Sequence, residues 1–428
     1  MSEELLYWQA LNRAMDAELA ADSSVFTLGE DVGLYGGSYR VTEGLYAKYG
    51  EWRIRDTPIS ENSFTGLGVG AALVGLRPVV EIMTINFMLL ALDSIINAAA
   101  KIPFMSGGQF SMPLVVRVPG GVAHQLGAQH SQRLEYTLMN VPGLRIAVPS
   151  TPQDAYWQLR QAIVSDEPII LLEHELLYFS KGPVDVLAEA PPMHRALVRR
   201  EGRDLTIVSY SRHAVLSQEA AAELSKEGIE AEVIDLRSLK PIDWDTCAAS
   251  LEKTHRMLVV EEDCRFAGAG AEIVATLTDR CFDALDAPLQ RLAGLDISTP
   301  FNGALEAATI PQVPDIVAAA RELFRPTPGN KAETKTAPSP KSTSSGEAAA
   351  RVAQATPAAS KTAPPETARA PKVAAGAAGK GTPAPTAKPA AALSKGAPAP
   401  AAKPAAAPGK TADARRPSPK PSPKGQTR

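Results

Sequence analysis

Glu61 is the first residue of the chain whose type and setting could do chemistry. It stands in the stretch DTPISENSFTGLGVGAA, residues 56–72, where a proline-containing loop runs into glycines and small apolar residues. We predict that this loop leads into a helix with Glu61 at or near its start, where the helix dipole and burial both act on the carboxylate. The position also suits a plain helix cap, since Ser60 is a good N-cap and an acid is favoured in the first turn.

Three glycines in the same stretch indicate that the predicted helix has a very close neighbour. Glycine lowers helix propensity, so a helix that keeps Gly66, Gly68 and Gly70 is expected to have something packed against its backbone. A partner helix or a flat cofactor would each meet that description. A cofactor there would make the carboxylate at the helix start a candidate acid or base.

A second candidate site is the segment GGVAHQLGAQHSQR, residues 120–133. It places His124 and His130 in a glycine-bearing loop between a strand and a predicted helix. A histidine there can exchange a proton near neutral pH and reach into a cleft. A histidine that merely caps the next helix explains the pattern equally well. The other four histidines stand near predicted element ends and suit structural roles: His174, His194, His213 and His255.

Several common sites have no counterpart in the sequence. No two histidines have the HExxH spacing of a zinc site, and there is no GxSxG elbow or GxxxxGK phosphate loop. The GLGVGA segment at Gly66 matches a dinucleotide fingerprint only loosely, because it lies within the predicted helix rather than after a strand. Cys247, Cys264 and Cys281 lie far apart, so free thiols in a reducing compartment are expected.

These residues need a scaffold, and the chain alternates strands with helices. Short apolar strands are predicted at VFTLG, RPVVEIM, MPLVVRV, LRIAVP and PIILL, with helical stretches between them that include residues 86–101. Such alternation predicts an α/β domain with a mostly parallel sheet, and a second, smaller alternation follows. The predicted boundaries are a first domain at residues 1–187, a linker at 188–200, a second α/β domain at 201–325 and a tail at 326–428.

Charge divides the chain at Arg325. Residues 326–428 contain 17 Lys and Arg against 4 Asp and Glu, whereas residues 1–325 contain 27 against 43. The tail lacks aromatic residues and is rich in Ala, Pro, Lys and Thr, so we expect it to be extended and disordered. The acidic body argues against nucleic acid as the main ligand, and no apolar run is long enough to span a bilayer. The N-terminus has no signal or transit features, which predicts a cytoplasmic protein.

Several motifs together resemble one enzyme family. They are DTPISENSFTGLGVGAAL, MTINFMLLALDSIINAAAK, GAQHSQ, NVPGLRIAVPSTPQDA, DLRSLKPID and DAPLQRLAGLDISTPFN. These motifs are similar to the beta subunits of the pyruvate dehydrogenase decarboxylating component, of the bacterial and plastid type, within the thiamine-dependent 2-oxo acid dehydrogenases. The resemblance runs from about Glu3 to Phe324. It implies a pyrimidine-binding thiamine-enzyme domain, then a transketolase C-terminal-type domain, in an α2β2 heterotetramer.

The resemblance also implies a reaction. It is that of an oxidoreductase in the pyruvate dehydrogenase complex, which links glycolysis to acetyl-CoA: oxidative decarboxylation of pyruvate on thiamine diphosphate, then reductive acetylation of a lipoyl group on dihydrolipoyl acyltransferase. A branched-chain 2-oxo acid or acetoin dehydrogenase stays open as an alternative, because the pocket that selects the substrate is shared with the alpha subunit. A different class also stays open, a scaffold or interaction protein that acts through its basic tail.

Site residues follow from the same resemblance. Glu61 matches the family glutamate that bonds the aminopyrimidine ring of the cofactor. His130 matches an active-site histidine with an acid/base and orienting role, and Phe87 matches an aromatic that packs on the pyrimidine ring. The GDG segment that holds Mg2+ and the diphosphate in thiamine enzymes does not occur in this chain, and the family carries it on the alpha subunit. The chain is therefore expected to be active only with that subunit.

Relatives also hold a structural potassium ion with main-chain carbonyls. The resemblance places these ligands at Leu114, Ala162 and Ile163, with Glu167 close by. The chain departs from the family at Ser165, where many relatives carry an acid, and at Val118, where many carry glycine.

Overall fold

The structure is a computed structural model that describes residues 2–122 and 124–325. The disorder predicted for residues 326–428 therefore falls outside the described residues. Strands and helices alternate through two mostly parallel sheets, which confirms the predicted α/β class. The domain boundaries drawn from the sequence stay a prediction.

The strands of the described residues are numbered in chain order. They are β1 (Glu3–Leu6), β2 (Val25–Gly29), β3 (Ile54–Asp56), β4 (Arg77–Glu81), β5 (Val115–Gly120), β6 (Arg145–Ala147), β7 (Ile169–His174), β8 (Lys181–Val184), β9 (Leu197–Arg200), β10 (Leu205–Ser209), β11 (Ala231–Asp235), β12 (Ser238–Lys240), β13 (Met257–Cys264) and β14 (Gln290–Gly294).

The α-helices of the same residues are numbered likewise. They are α1 (Tyr7–Ala21), α2 (Leu45–Tyr49), α3 (Glu61–Leu73), α4 (Ile85–Met88), α5 (Ile102–Met105), α6 (Glu135–Met139), α7 (Pro152–Val164), α8 (Ser211–Ser225), α9 (Trp244–Thr254), α10 (Ala269–Cys281), α11 (Gly303–Ala307) and α12 (Val313–Glu322). Short 3₁₀ turns occur at Leu89–Ala91, Glu175–Leu177 and Phe282–Ala284, and a π-helical turn occurs at Asp93–Ala99.

The first sheet has the strand order β12-β6-β7-β5-β4-β2-β3. All its neighbours are parallel except β12 and β6. Successive residues of its central strands point to opposite faces: Val79 and Val115 pack with α1 and α7, whereas Val80 and Val116 pack with α3. This two-sided burial explains why the strands read as continuous apolar runs in the sequence.

The second sheet has the order β14-β13-β10-β11-β9, in which only the edge strand β9 is antiparallel. Strand β9 lies within the segment predicted as a linker, residues 188–200. Its side chains are only partly buried, so the strand has no apolar alternation in the sequence. Strand β12 follows β11 of the second sheet in the chain but pairs with β6 of the first sheet, so it links the two sheets.

The helix predicted at residues 86–101 is broken into α4, a 3₁₀ turn and a π-helical turn. Ser94, in the π-helical turn, donates its hydroxyl to the carbonyl oxygen of Asn62 at 3.2 Å and to its Oδ1 at 2.7 Å. A β-carbon on Gly66 would lie 3.4 Å from the Ser94 hydroxyl, an ordinary contact distance, so the turn lies directly against α3. The break follows from contact with another helix, which local periodicity does not show.

At Gly68, the most crowded glycine of α3, the close neighbour is a strand, whereas the sequence suggested a partner helix or a cofactor. A β-carbon on Gly68 would lie 2.7 Å from Cγ2 of Val80, so this glycine lets α3 lie directly on strand β4. Among the described residues, no atom outside the helix's own backbone lies within 4 Å of the corresponding point on Gly70. No single helix of the described residues is long and apolar enough to cross a membrane, although the bent pair Ile85–Ala91 and Asp93–Met105 passes on length and composition.

Candidate active site

The candidate residues gather at one edge of the first sheet. Strands β5, β4, β2 and β3 are consecutive parallel neighbours, so their carboxyl ends lie side by side. The residues that follow them in the chain are, respectively, His130, Phe87, Glu30 and Glu61. Ligands of open parallel sheets bind outside this edge, because the connecting loops and helix starts meet there.

Glu61 is the first residue of α3, as the sequence predicts, and it is 4% exposed. Ser60 occupies the N-cap position, but its side chain makes no capping hydrogen bond. Within the described residues, the Glu61 carboxylate has no side-chain hydrogen bond and no ion pair. The carboxylate is therefore a buried acceptor whose hydrogen-bonding capacity the chain itself leaves unused.

Glu30 is a neighbouring acid that sequence reasoning missed. It follows β2 directly and is buried. Burial raises the pKa of Glu30, and the charges of Glu61 and Asp31 raise it further. Two acids that influence each other at one edge of a sheet are typical of a site that handles protons. The sequence signal was the acid pair in GEDVG, directly after an apolar strand.

Phe87 and His130 are brought together. Their ring centroids lie 5.4 Å apart with an interplanar angle of 84°, an edge-to-face contact. The side chains of their neighbours also meet, since Asn86 donates to Oε1 of Gln132 at 2.6 Å. Both rings are half-buried, whereas His124 is exposed. The structure thus separates the two histidines of the loop and places only His130 against another site residue.

The carbonyls predicted to hold potassium already accept hydrogen bonds. The Leu114 oxygen accepts from the first amide of β7 at 2.9 Å, and the Ala162 oxygen accepts from Ser165 at 3.2 Å. The Ile163 oxygen accepts from the Arg77 guanidinium at 3.1 Å. A guanidinium in that position repels a second cation, so the described residues fit a potassium ion poorly.

Glu167, the fourth residue of the predicted potassium set, points its carboxylate toward Arg145. The two form an ion pair in which both side chains are partly exposed, 53% for Glu167 and 34% for Arg145. Its side chain therefore serves a surface pair. The potassium site stays a prediction.

The second sheet contributes acids that sequence reasoning also missed. A cavity of about 450 Å³ lies between the loop that carries His130 and the second sheet, and its lining includes Ser131, Arg133 and Asp263. Burial raises the pKa of Asp263 well above its usual value, and the charge of Glu135 raises it further. These side chains come from distant parts of the sequence, so spacing along the chain could not reveal their meeting.

Two family models match the chain. The pyrimidine-binding domain of transketolase matches residues 3–181, and the C-terminal domain of transketolase matches residues 194–316. Both matches end before the basic segment 326–428.

Curated relatives match over most of their length. The "Pyruvate dehydrogenase E1 component subunit beta" of Gracilaria tenuistipitata var. liui is 48% identical over 320 residues, which are 75% of this chain and 99% of the relative. The protein of the same name from Porphyra purpurea is 47% identical over 75% of this chain and 97% of the relative. This chain belongs to the pyruvate dehydrogenase E1 beta-subunit family.

Other E1 beta proteins extend the likeness. "Pyruvate dehydrogenase E1 component subunit beta-2, mitochondrial" of Oryza sativa subsp. japonica is 48% identical over 76% of this chain and 88% of the relative. A solved structure, "Split gene transketolase, inactive beta4 tetramer", has a TM-score of 0.61 and 21% identity over 75% of this chain and 98% of that chain. At that identity the likeness shows the fold alone. The E1 beta family predicted from the motifs is therefore confirmed, together with its two kinds of domain.

Proposed function

We propose that the chain is the beta subunit of a pyruvate dehydrogenase, which decarboxylates pyruvate on thiamine diphosphate and acetylates a lipoyl group. The observation that carries the proposal is Glu61, a buried carboxylate without a hydrogen-bond partner in the described residues, at the edge where four parallel strands end. The names of the relatives, pyruvate dehydrogenase E1 beta subunits, support pyruvate as the substrate.

Glu61 and Phe87 fit a thiamine ring. Glu61 offers an unused buried acceptor, which suits a ring nitrogen that needs a hydrogen-bond partner. Phe87 offers a half-buried aromatic ring on the adjacent loop. When bound, thiamine diphosphate supplies the carbanion chemistry that releases carbon dioxide from a 2-oxo acid. Glu61 would hold the aminopyrimidine and exchange a proton with it.

His130 would act beside Phe87 as an acid or base toward the substrate. Its ring lies 5.4 Å from the Phe87 ring, so an aromatic that packs on the cofactor would also bring His130 to the substrate. Imidazole is the side chain most often used as a general acid or base. It would also orient the acyl group for transfer to a lipoyl-bearing acyltransferase.

An alpha subunit would complete the site. The chain has no GDG segment for Mg2+ and the diphosphate, so these groups would be held by another polypeptide. Exposed apolar side chains lie in the segments that follow strands β3 and β4 in the chain and suit a protein partner: Ile59, Leu89, Leu90, Phe104 and Met105. An α2β2 heterotetramer is the assembly we propose.

Reconstitution with the alpha subunit tests the function. The chain alone should not turn over any 2-oxo acid, whereas the assembled pair should act faster on pyruvate than on branched-chain 2-oxo acids or acetoin. Glu61→Gln should lower turnover by about 100-fold or more. Glu51→Gln, which alters an exposed glutamate ten residues earlier, should leave turnover unchanged. Faster turnover of a branched-chain acid, or full activity of Glu61→Gln, would overturn the proposal.

The basic tail favours a second role. Its 17 Lys and Arg against 4 Asp and Glu suit weak, salt-dependent docking to an acidic surface of the complex or to an anionic polymer. Deleting residues 326–428 should weaken retention on an anionic resin and association with the lipoyl protein at low salt. Unchanged assembly and retention would reject this role. The potassium ion and the cytoplasmic location stay predictions.

A further inference from the structure

The loop that carries His130 has a strained backbone that needs stabilising contacts from outside the loop. We define the His130 loop as residues 121–132, of which Ala123 is not described. His124 and Gln125 both adopt positive φ values, 57° and 58°, and glycine occupies two further positive-φ positions, 121 and 127. Residues other than glycine pay free energy to adopt this left-handed region, so contacts from outside the loop must stabilise it.

The second domain supplies those contacts at three points. At the loop start, Glu262 of β13 accepts the Val122 amide at 2.6 Å. In the middle, Glu306 of α11 accepts the Gln125 amide at 2.9 and 3.2 Å. Next to His130, the Thr299 hydroxyl donates to the carbonyl of Ser131 at 3.2 Å. Two of the three contacts are made by buried carboxylates, which are strong acceptors when ionised.

Glu262 accepts a hydrogen bond from one histidine and lies beside a second. His174 accepts the Leu176 amide with Nδ1 at 3.1 Å, so its Nε2 carries the proton and donates to Glu262 at 2.7 Å. His213 uses Nε2 to donate to the carbonyl of Pro311 at 3.0 Å, and its Nδ1 lies 3.5 Å from Glu262. Although burial opposes ionisation, the pKa of Glu262 is lowered, and the hydrogen bond from His174 and the charge of Arg133 contribute to this shift. The carboxylate therefore stays charged while it holds the loop.

The loop backbone also packs directly on this group. A β-carbon on Gly121 would lie 2.5 Å from Nε2 of His174, so only glycine lets the chain pass at this point. A β-carbon on Gly127 would lie 2.6 Å from Cε1 of Phe301, at the other end of the strained segment. Gly121 therefore lets the loop lie on His174 at the end of β7 in the first domain, and Gly127 lets it lie on Phe301 of the second domain.

We propose that Glu262 and Glu306 are positioning residues for His130. The inference rests on the acid/base role given to His130 in the proposed function, and it extends that role to the second domain. Neither carboxylate is required to touch the reacting atoms. Each holds a backbone amide of the strained loop, so its loss should misplace His130 without removing the cofactor or the substrate pocket.

The test uses Glu262→Gln and Glu306→Gln in the enzyme reconstituted with its alpha subunit. Each variant should lower kcat for pyruvate about 10- to 100-fold, because small misplacements of a catalytic group have effects of that size. The KM for pyruvate and the Kd for thiamine diphosphate should change less than twofold. The matched control is Glu261→Gln, which lies next to Glu262 on β13 but pairs with Arg291 and the Gly270 amide inside the second domain. The Glu261→Gln control should keep the wild-type kcat.

A double-mutant cycle separates positioning from general damage. In a His130→Gln background, Glu262→Gln and Glu306→Gln should lower kcat no further, since their effect passes through His130. Amide hydrogen exchange over residues 121–132 should quicken in both variants and not in Glu261→Gln. Equal losses with and without His130, or a kcat that matches the Glu261→Gln control, would overturn the inference. If either variant fails to assemble, the other carries the same test.

The same experiment distinguishes this inference from the proposed function. Glu61→Gln is measured alongside in the same assembly. Full activity of Glu61→Gln would rule out the proposed function, regardless of the results for Glu262→Gln and Glu306→Gln. An inactive Glu61→Gln together with additive losses in the cycle would remove only the positioning roles of Glu262 and Glu306.

Discussion

Glu61 is a buried residue at the start of α3 whose carboxylate makes no hydrogen bond or ion pair with the described residues, so its acceptor oxygens stay free for a ligand. The sequence left capping open as an explanation. The structure does not support side-chain capping, because within the described residues neither Ser60 nor Glu61 makes a capping hydrogen bond. A ligand that donates a hydrogen bond to Glu61 would use these oxygens, and in the proposed function the thiamine ring is that ligand.

Phe87 allows a test of that ligand at the same scale. Phe87→Ala should weaken thiamine diphosphate binding by about tenfold, because it removes an aromatic contact worth about 0.5–1.5 kcal/mol beyond the buried area. The Kd is measured by titrating the reconstituted enzyme with the cofactor. Phe282→Ala removes a phenylalanine that is 70% exposed in the 3₁₀ turn Phe282–Ala284 and should leave the Kd unchanged. An unaltered Kd in Phe87→Ala would show that this ring does not pack on the cofactor.

At the scale of elements, the sequence predicted what depends on local pattern and missed what depends on contact. The apolar run VFTLG became β2, and Glu61 begins α3 as the loop and helix signals indicated. The helix predicted at residues 86–101 is broken where Ser94 reaches Asn62, and that contact joins two helices. The sequence analysis missed that Glu30 lies close enough to Glu61 to influence it, because that proximity depends on the order of the strands in the sheet.

A buried ion cluster joins the central strands of the first sheet. Arg117 of β5 is 1% exposed and donates to Glu173 of β7 at 2.8 and 2.7 Å, while it also pairs with Glu81 of β4. Removing one partner of such a group leaves uncompensated charge, which costs about 3–5 kcal/mol. The three strands should therefore depend strongly on this one arginine.

Arg117→Met should lower the free energy of unfolding by about 3–5 kcal/mol in urea titrations of the chain. The control is Arg145→Met in the same sheet, whose pair with Glu167 is partly exposed and should contribute at most about 1 kcal/mol. Similar losses in the two variants would mean that burial does not govern the strength of these pairs.

At the scale of the whole molecule, the two domains meet through a group that responds to protons. Burial lowers the pKa of His213 to about 4, against the opposing charge of Glu262 and with help from Arg212 and His174. In the unfolded chain the same histidine would titrate near about 6.5. The unfolded state therefore binds this proton first, so stability should fall as the pH drops from about 6.5 to 4.

His213→Asn should reduce that pH dependence. Urea unfolding at pH 7 and pH 5 should show a large loss of stability in the wild type and a smaller loss in the variant, because the comparison cancels any constant cost of the substitution. His194→Asn alters an exposed histidine of the segment before β9 and should behave as the wild type. The same pH dependence in all three proteins would show that protonation of His213 does not weaken the folded state.

At the same scale, the chain has no GDG segment, so in the proposed function it would offer one face of a site whose diphosphate is held by the alpha subunit. The motifs predicted that division from the sequence. Substrate choice could not be predicted in the same way, since in the proposed heterotetramer it would depend on a pocket that the alpha subunit completes.

The most direct test of the central claim is the rate at which the hydrogen on C2 of bound thiamine diphosphate exchanges with deuterium. Quenched-flow NMR measures it in the enzyme reconstituted with its alpha subunit. The wild type should exchange this hydrogen at least about 100-fold faster than Glu61→Gln, with the cofactor bound in both, because proton transfer from a positioned group contributes that much. Exchange at the wild-type rate in cofactor-loaded Glu61→Gln would contradict the account.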